Sequence, residues 1–156
     1  MAPADGATVG FRAWGKANGF IRKGTTLRRD QAETIAVVNL QGSQWGGRYY
    51  VNVALWLKTL GGDSDSLPYE HQCHLRTRLG YLVPDERELL ELLDMANGID
   101  AGERATRLQR LLDEYLTPML QETDTIALLR EHHYASRAHW LVRGSAQPLL
   151  ATDPST

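Results

Sequence analysis

The spacing of apolar positions changes along this chain and divides it in two. Near the start, Phe11, Trp14 and Ala17 recur at helical spacing, with Thr8 placed to cap a short helix that ends at Asn18-Gly19. Gly10 and Gly15 weaken that helix by up to ~1 kcal/mol each relative to alanine. From Phe20 the period shortens. A Lys-Gly turn and an Arg-Asp-Gln-Ala connection separate β-branched runs, and the pattern predicts strands near 20–22, 25–29, 33–41 and 48–58. Neighbours this close in sequence pair antiparallel. GGDSDSLP (residues 61–68) reads as a polar loop, the least ordered internal segment. CHLRTRLGYLV (residues 73–83) sets Cys73, Leu75, Thr77, Leu79 and Tyr81 against His74, Arg76, Arg78 and Gly80, a strand with one apolar and one basic face.

After Pro84 the helical period returns. Asp85, Glu86 and Glu88 fill a first turn, Leu89, Leu90, Leu93 and Ala96 form a stripe, and Asn97-Gly98 closes the helix. Asp100 and Glu103 have capping-box spacing ahead of a second stripe at Leu108, Leu111, Leu112, Tyr115 and Leu116, with Pro118 just beyond its end. A third helix capped by Thr123 or Asp124 carries Ile126, Leu129 and His133, and a fourth helical segment spans about 133–142. The expected fold is α+β: an antiparallel sheet of about four to five strands in the N-terminal half, packed with C-terminal helices. Residues 1–143 form one domain, and residues 144–156 a loosely ordered tail. Helices on one face of the sheet leave the other at least partly open to solvent or a partner.

Length and composition fit this picture. At 156 residues the chain can bury a core without staples, and 42% hydrophobic against 23% charged residues suits a globular protein. No apolar run approaches the ~18–20 residues of a membrane-spanning helix. The start, MAPADGATVG, has neither the basic nor the apolar part of a signal peptide, and the single Cys73 forms no internal disulfide. A cytoplasmic location is the resulting expectation. The net charge of −2 conceals an asymmetry: residues 1–60 carry eight Lys/Arg and three Asp/Glu, residues 61–156 nine and sixteen. A dipolar chain of this kind suits an electrostatically chosen partner, or reflects strands that received the cations and helices the glutamates.

Few constellations carry chemistry. His71, Cys73 and His74 lack a second ligand pair for zinc. His132, His133 and His139 fall outside any HExxH pattern, and Asp113 and Glu114 point to different sides of a helix. No nucleophile elbow and no phosphate-cradling glycine loop occurs. No catalytic residue, metal or cofactor is assigned, and an enzyme whose catalytic set is dispersed in sequence stays open as an alternative.

The amides carry more information. In NLQGSQWGGRYYVNV (residues 39–53), Asn39, Gln41, Gln44 and Asn52 occupy places where a core strand would hold valine or isoleucine. Alternation puts Val37, Asn39 and Gln41 on one side and Val38 and Leu40 on the other, while Asn52 opposes Val51 and Val53. The amides therefore line a polar seam, buried by the helices or left open. Arg48, Arg76 and Arg78 lie on neighbouring strands among Trp45, Tyr49, Tyr50 and Trp56. Tyr, Trp and Arg dominate protein-binding hot spots, whereas basic and aromatic sheet faces also bind single-stranded nucleic acid. Asn39, Gln41, Trp45, Arg48, Tyr50, Asn52, Arg76 and Arg78 are the partner-binding candidates, with Trp45 at a glycine-flanked hairpin tip.

Four segments together resemble a bacterial family known as domain of unknown function 4304. They are GFIRKGTTLRR (residues 19–29), NLQGSQWG (39–46), YYVNVALWL (49–57) and CHLRTRLGYL (73–82), and the likeness spans about residues 11–130. Leu27 stands where an aromatic is more usual. The resemblance implies a fold, but no activity, cofactor or catalytic residue. It implies small stand-alone cytoplasmic proteins similar in style to immunity proteins. The resulting expectation is a non-enzymatic protein-interaction module, extending to an immunity protein that occludes a bacterial toxin. A small nucleic-acid-binding module using the basic and aromatic face is the alternative.

Overall fold

An aspartate starts the first helix earlier than the sequence pattern suggests. Asp5 accepts from the Thr8 N–H at 2.8 Å and so caps α1 (Gly6–Ala17) in place of the expected Thr8. A carboxylate at this position satisfies a first-turn N–H and complements the helix dipole. The computed structural model describes residues 5–61, 70–136 and 139–151.

The sheet follows chain order without a crossover: β1 (Ile21–Lys23), β2 (Thr26–Asp30), β3 (Thr34–Gly42), β4 (Tyr49–Leu57), β5 (Leu75–Arg78) and β6 (Leu141–Val142), each antiparallel to the next. Six strands exceed the four to five expected, and β6 is the added one. Its two residues pair with Leu75 and Arg76 inside the segment expected to continue as a helix. A two-residue strand has no readable period, and long-range pairing places it. The strand expected over 73–83 also shortens, because Leu79–Tyr81 form a 3-10 turn. In the β3–β4 hairpin, Gly46 and Gly47 take φ of 77° and 74°, the left-handed region that favours glycine. Of the polar loop expected at residues 61–68, all beyond Gly61 lies outside the described residues.

The remaining helices are α2 (Glu86–Leu93), α3 (Ala101–Leu111), α4 (Thr117–Gln121), α5 (Ile126–Ser136) and α6 (Gln147–Leu150). Asp85 caps α2, and Asp100 caps α3 by accepting from the Glu103 N–H at 3.1 Å, as the spacing implied. Leu92, not Leu90, completes the buried stripe of α2, and Leu90 is exposed. Pro118 does not end the helical run. A π-helical stretch, Leu112–Leu116, links α3 to α4 and widens the backbone ahead of the proline, which supplies no N–H. For α5 the cap is Thr125, whose hydroxyl accepts from the Leu128 N–H at 3.1 Å. The Thr123 hydroxyl donates to the Leu120 carbonyl, and an Asp124 carboxylate oxygen accepts from the Ala32 N–H.

All six helices contribute to one apolar core against Ala36, Val38, Leu40, Val51, Val53, Leu55 and Leu75 on one face of the sheet. Ala146 and Leu150 belong to that core, so α6 is packed within the segment expected to be a loose tail, whose residues 152–156 lie outside the described residues. α1 and α3 meet backbone to backbone. A Cβ at Gly6 would stand 2.5 Å from the Ala101 carbonyl oxygen, and one at Gly10 2.5 Å from that of Ala105. Beneath this contact the buried Arg104 donates to the Glu91 and Leu92 carbonyls at the end of α2 and to the Asn97 side chain. The opposite sheet face carries a smaller apolar cluster of Ile35, Val37, Ala54 and Cys73, with Trp56 packed against it. Among the described residues, no helix is long and apolar enough to cross a membrane.

Candidate binding face

Register brings the amides together on the face away from the helices. Directly paired residues share a face, so Lys23, Thr26, Asn39, Asn52 and Arg78 form one row across five strands. The next row toward the apolar cluster is Ile21, Arg28, Val37, Ala54, Arg76 and Leu141. Toward the hairpin tip, Gln41 pairs with Tyr50. The polar seam therefore lies on the face opposite the α-helices, and its amides bond to one another and to Thr25 and Thr26. Asn52, 6% exposed, donates to the Gln41 side-chain carbonyl at 2.8 Å and to that of Asn39 at 3.4 Å. Asn39 in turn donates to the Thr26 hydroxyl at 3.1 Å. Such a network holds its members in fixed orientation.

Six of the eight candidate residues meet here: Asn39, Gln41, Tyr50, Asn52, Arg76 and Arg78. The Arg78 guanidinium lies over the Tyr50 ring at 4.3 Å, a cation–π contact that braces both side chains. Arg76 donates to the His71 carbonyl at 3.2 Å. Beside them a hollow of about 340 Å³ is lined by Gln41, Asn52, Arg76, Arg78, Tyr81 and His139, among others. Trp45 and Arg48 do not join this cluster. Trp45 stands 87% exposed at the hairpin tip. Arg48 is drawn to Asp94 through a backbone bridge and an ion pair at 4.0 Å, and Met95 N–H donates to the Gly47 carbonyl. Arg48 thus fastens the hairpin to the end of α2.

Three residues of the site escaped the sequence reading. Tyr81 was expected on the apolar face of a long strand, yet the 3-10 turn that ends β5 at Arg78 swings it out to 62% exposure. His139 and Leu141 enter because Thr77 donates to the His139 carbonyl and because β6 pairs with β5. The run of Arg76, Arg78 and Tyr81 was the one available signal.

The histidines are engaged in structural contacts. His74 is buried, packs at a tilt against Trp56 with ring centroids 4.5 Å apart and accepts the Leu57 N–H at Nδ1. Burial, and then the charge of Arg143, hold its pKa below the usual 6.5. A depressed histidine contributes stability that is complete above the unfolded value and is lost as pH falls through the folded one. Melting temperature should therefore fall from about pH 6.5 downward, and His74→Gln should flatten that slope in a thermal scan across pH. A residual slope is expected from His133, whose pKa is also lowered by burial and by His132. Trp140 Nε1–H donates to His132 Nε2 at 3.0 Å, which leaves the hydrogen on Nδ1 for Glu122 at 2.9 Å. Both ring nitrogens of that pair are thus taken up internally. Among the described residues, no group of three or more His, Cys, Asp or Glu side chains is placed to hold a metal ion.

A chain-order antiparallel sheet, roofed by helices on one face and bearing a braced amide and arginine surface on the other, defines a two-layer α+β protein. It belongs to the family described as Domain of unknown function (DUF4304), whose model matches residues 15–122. That span runs from the end of α1 to the end of α4 and includes β1 to β5. No curated protein and no solved structure matches the chain.

Proposed function

We propose that this chain is a non-enzymatic interaction module that holds a protein partner against the sheet face opposite its α-helices. The partner we favour is a toxin that the chain neutralises by occlusion, as a cytoplasmic immunity protein. The observation supporting the reading is the location of the seam. Six candidate residues from β3, β4 and β5 share the face opposite the α-helices, and hydrogen bonds and a cation–π contact engage all six. A rigid array of Tyr, Arg and amide side chains loses little conformational entropy on binding.

Single-stranded nucleic acid draws on the same arginines but fits less well. Base stacking needs open aromatic rings. Arg78 already lies over Tyr50 and His74 against Trp56, which leaves Tyr81 beside the hollow and Trp45 apart at the hairpin tip as the exposed rings.

A photo-crosslinking side chain placed at Gln41, exposed on that face, is expected to capture a protein in producing cells. The same group at exposed Arg110 on α3 is expected to capture none. With the captured partner purified, Arg78→Glu should weaken binding by about tenfold or more. Capture only from Arg110, or of nucleic acid alone from Gln41, would refute the reading.

A further inference from the structure

Two hollows meet at the end of β5, and they differ in chemistry. The first, described above, has Gln41, Asn52, Arg76 and Arg78 in its walls, and the described residues that line it include no carboxylate. The second, about 220 Å³, lies between the hairpin and α2, with Tyr50, Val51, Leu89, Leu90 and Leu93 in its walls. Arg78 and Tyr81 line both, so the two are neighbours across a shared wall. Glu86, beside Gly80, is the acidic residue of the second hollow. Leu90 is exposed at 40% although it lies on a helix whose other leucines are buried, and Tyr81 is more exposed still.

Charge and shape together restrict the occupant. The exposed Arg78 guanidinium beside two fixed amides favours an anion with several acceptor lone pairs, and a carboxylate supplies them. A leucine-lined hollow alongside favours an aliphatic or aromatic side chain. On an extended chain, side chains two residues apart project to the same side. We propose that the paired hollows form one recognition groove for an extended peptide segment of the partner. A carboxylate sits against Arg78, and an apolar side chain two residues away sits against Leu90 and Tyr81. This assignment rests on the protein-partner reading and names the chemistry by which that partner is recognised.

Pooled short synthetic peptides, N-acetylated and made both as amides and as free acids, test it by fluorescence anisotropy. Pools with Asp or Glu two residues from Leu, Ile or Phe are expected to bind about tenfold more tightly than pools with Asn or Gln at the acidic position. Arg78→Glu should abolish that preference and create one for Lys or Arg there. Leu90→Ser should remove only the apolar preference. Both residues are exposed, so an unchanged melting temperature confirms that the variants fold. A preference in amides and acids alike assigns a side-chain carboxylate, and one confined to free acids assigns the chain terminus; either supports the groove. Equal binding of acidic and amide pools, or a preference that survives Arg78→Glu, overturns it. Oligothymidylate bound more tightly than every pool, and released by Arg78→Glu, overturns it in favour of phosphate. If the peptides fail while Gln41 still crosslinks a protein, the groove is wrong and the interaction face stands.

Discussion

Replacing Arg104 with methionine should lower stability by about 3 kcal/mol, a loss of roughly 6–12 °C in melting temperature for a chain of this size. The guanidinium is 3% exposed and donates to the Glu91 carbonyl at 3.1 Å, the Leu92 carbonyl at 2.8 Å and the Asn97 side chain at 2.6 Å. Those carbonyls belong to the last turn of α2, where intrahelical donors run out. Methionine fills much of the volume but takes away the donor to the Leu92 carbonyl, while Glu91 keeps the Asp94 N–H and the Asn97 amide. Lysine should recover only part of the loss, because an ammonium cannot present the planar fork that serves α2 and Asn97 together. The effect should reach Asp5 as well. Burial pushes that carboxyl up, but hydrogen bonds from Tyr49 and Thr8 and the charge of Arg104 bring it below the usual 3.8. A depressed carboxyl contributes stability above its unfolded value that is lost as pH falls through the folded one. Without Arg104 the Asp5 part of the acid limb should be shallower and end at higher pH, which chemical denaturation at pH 3 to 5 would read.

Gly10→Ala should be the second large loss, about 2 kcal/mol, even though alanine is the better helix former by ~1 kcal/mol. A Cβ there would stand 2.5 Å from the Ala105 carbonyl oxygen and 3.0 Å from its Cα. Both are backbone atoms of α3, so relief requires the two helices to move apart. That separation would loosen Phe11 and Trp14, which are 1% and 0% exposed. Gly144→Ala is the matched control, because a Cβ at Gly144 meets nothing within 4 Å. Urea denaturation of the two variants should show a clear loss for the first and almost no change for the second.

The glycines illustrate what a sequence conceals. At Gly10 and Gly15 local propensity says only that a helix is weakened. What those positions gain comes from Ala105 and from the Leu27 side chain, partners distant in sequence. The strands were legible for the opposite reason. Alternation over β3 and β4 is a local signal, and it separated Asn39, Gln41 and Asn52 from Val38, Leu40 and Val53 before any partner strand was known. Leu141 and Val142 were read as helix because two residues cannot display a period, and their placement depends on Leu75 and Arg76. The candidate face divides along the same line. Residues within regular strands were recognisable from parity, whereas Tyr81 depended on where β5 stops. Arg48 depended on Asp94, which no pattern ties to the hairpin.

The seam has a further consequence for how the strands find one another. In the β3–β4 ladder Asn39 faces Asn52 and Gln41 faces Tyr50. A slip of one residue would turn one strand over, carrying its amides beneath the helices and its valines out to water. An amide buried there without partners costs about 1–3 kcal/mol, and the Asn52–Gln41 bond would be broken as well. The row of asparagine and glutamine therefore acts as an alignment mark. An all-valine ladder would tolerate such a slip, and this one penalises every pairing displaced by an odd number of residues.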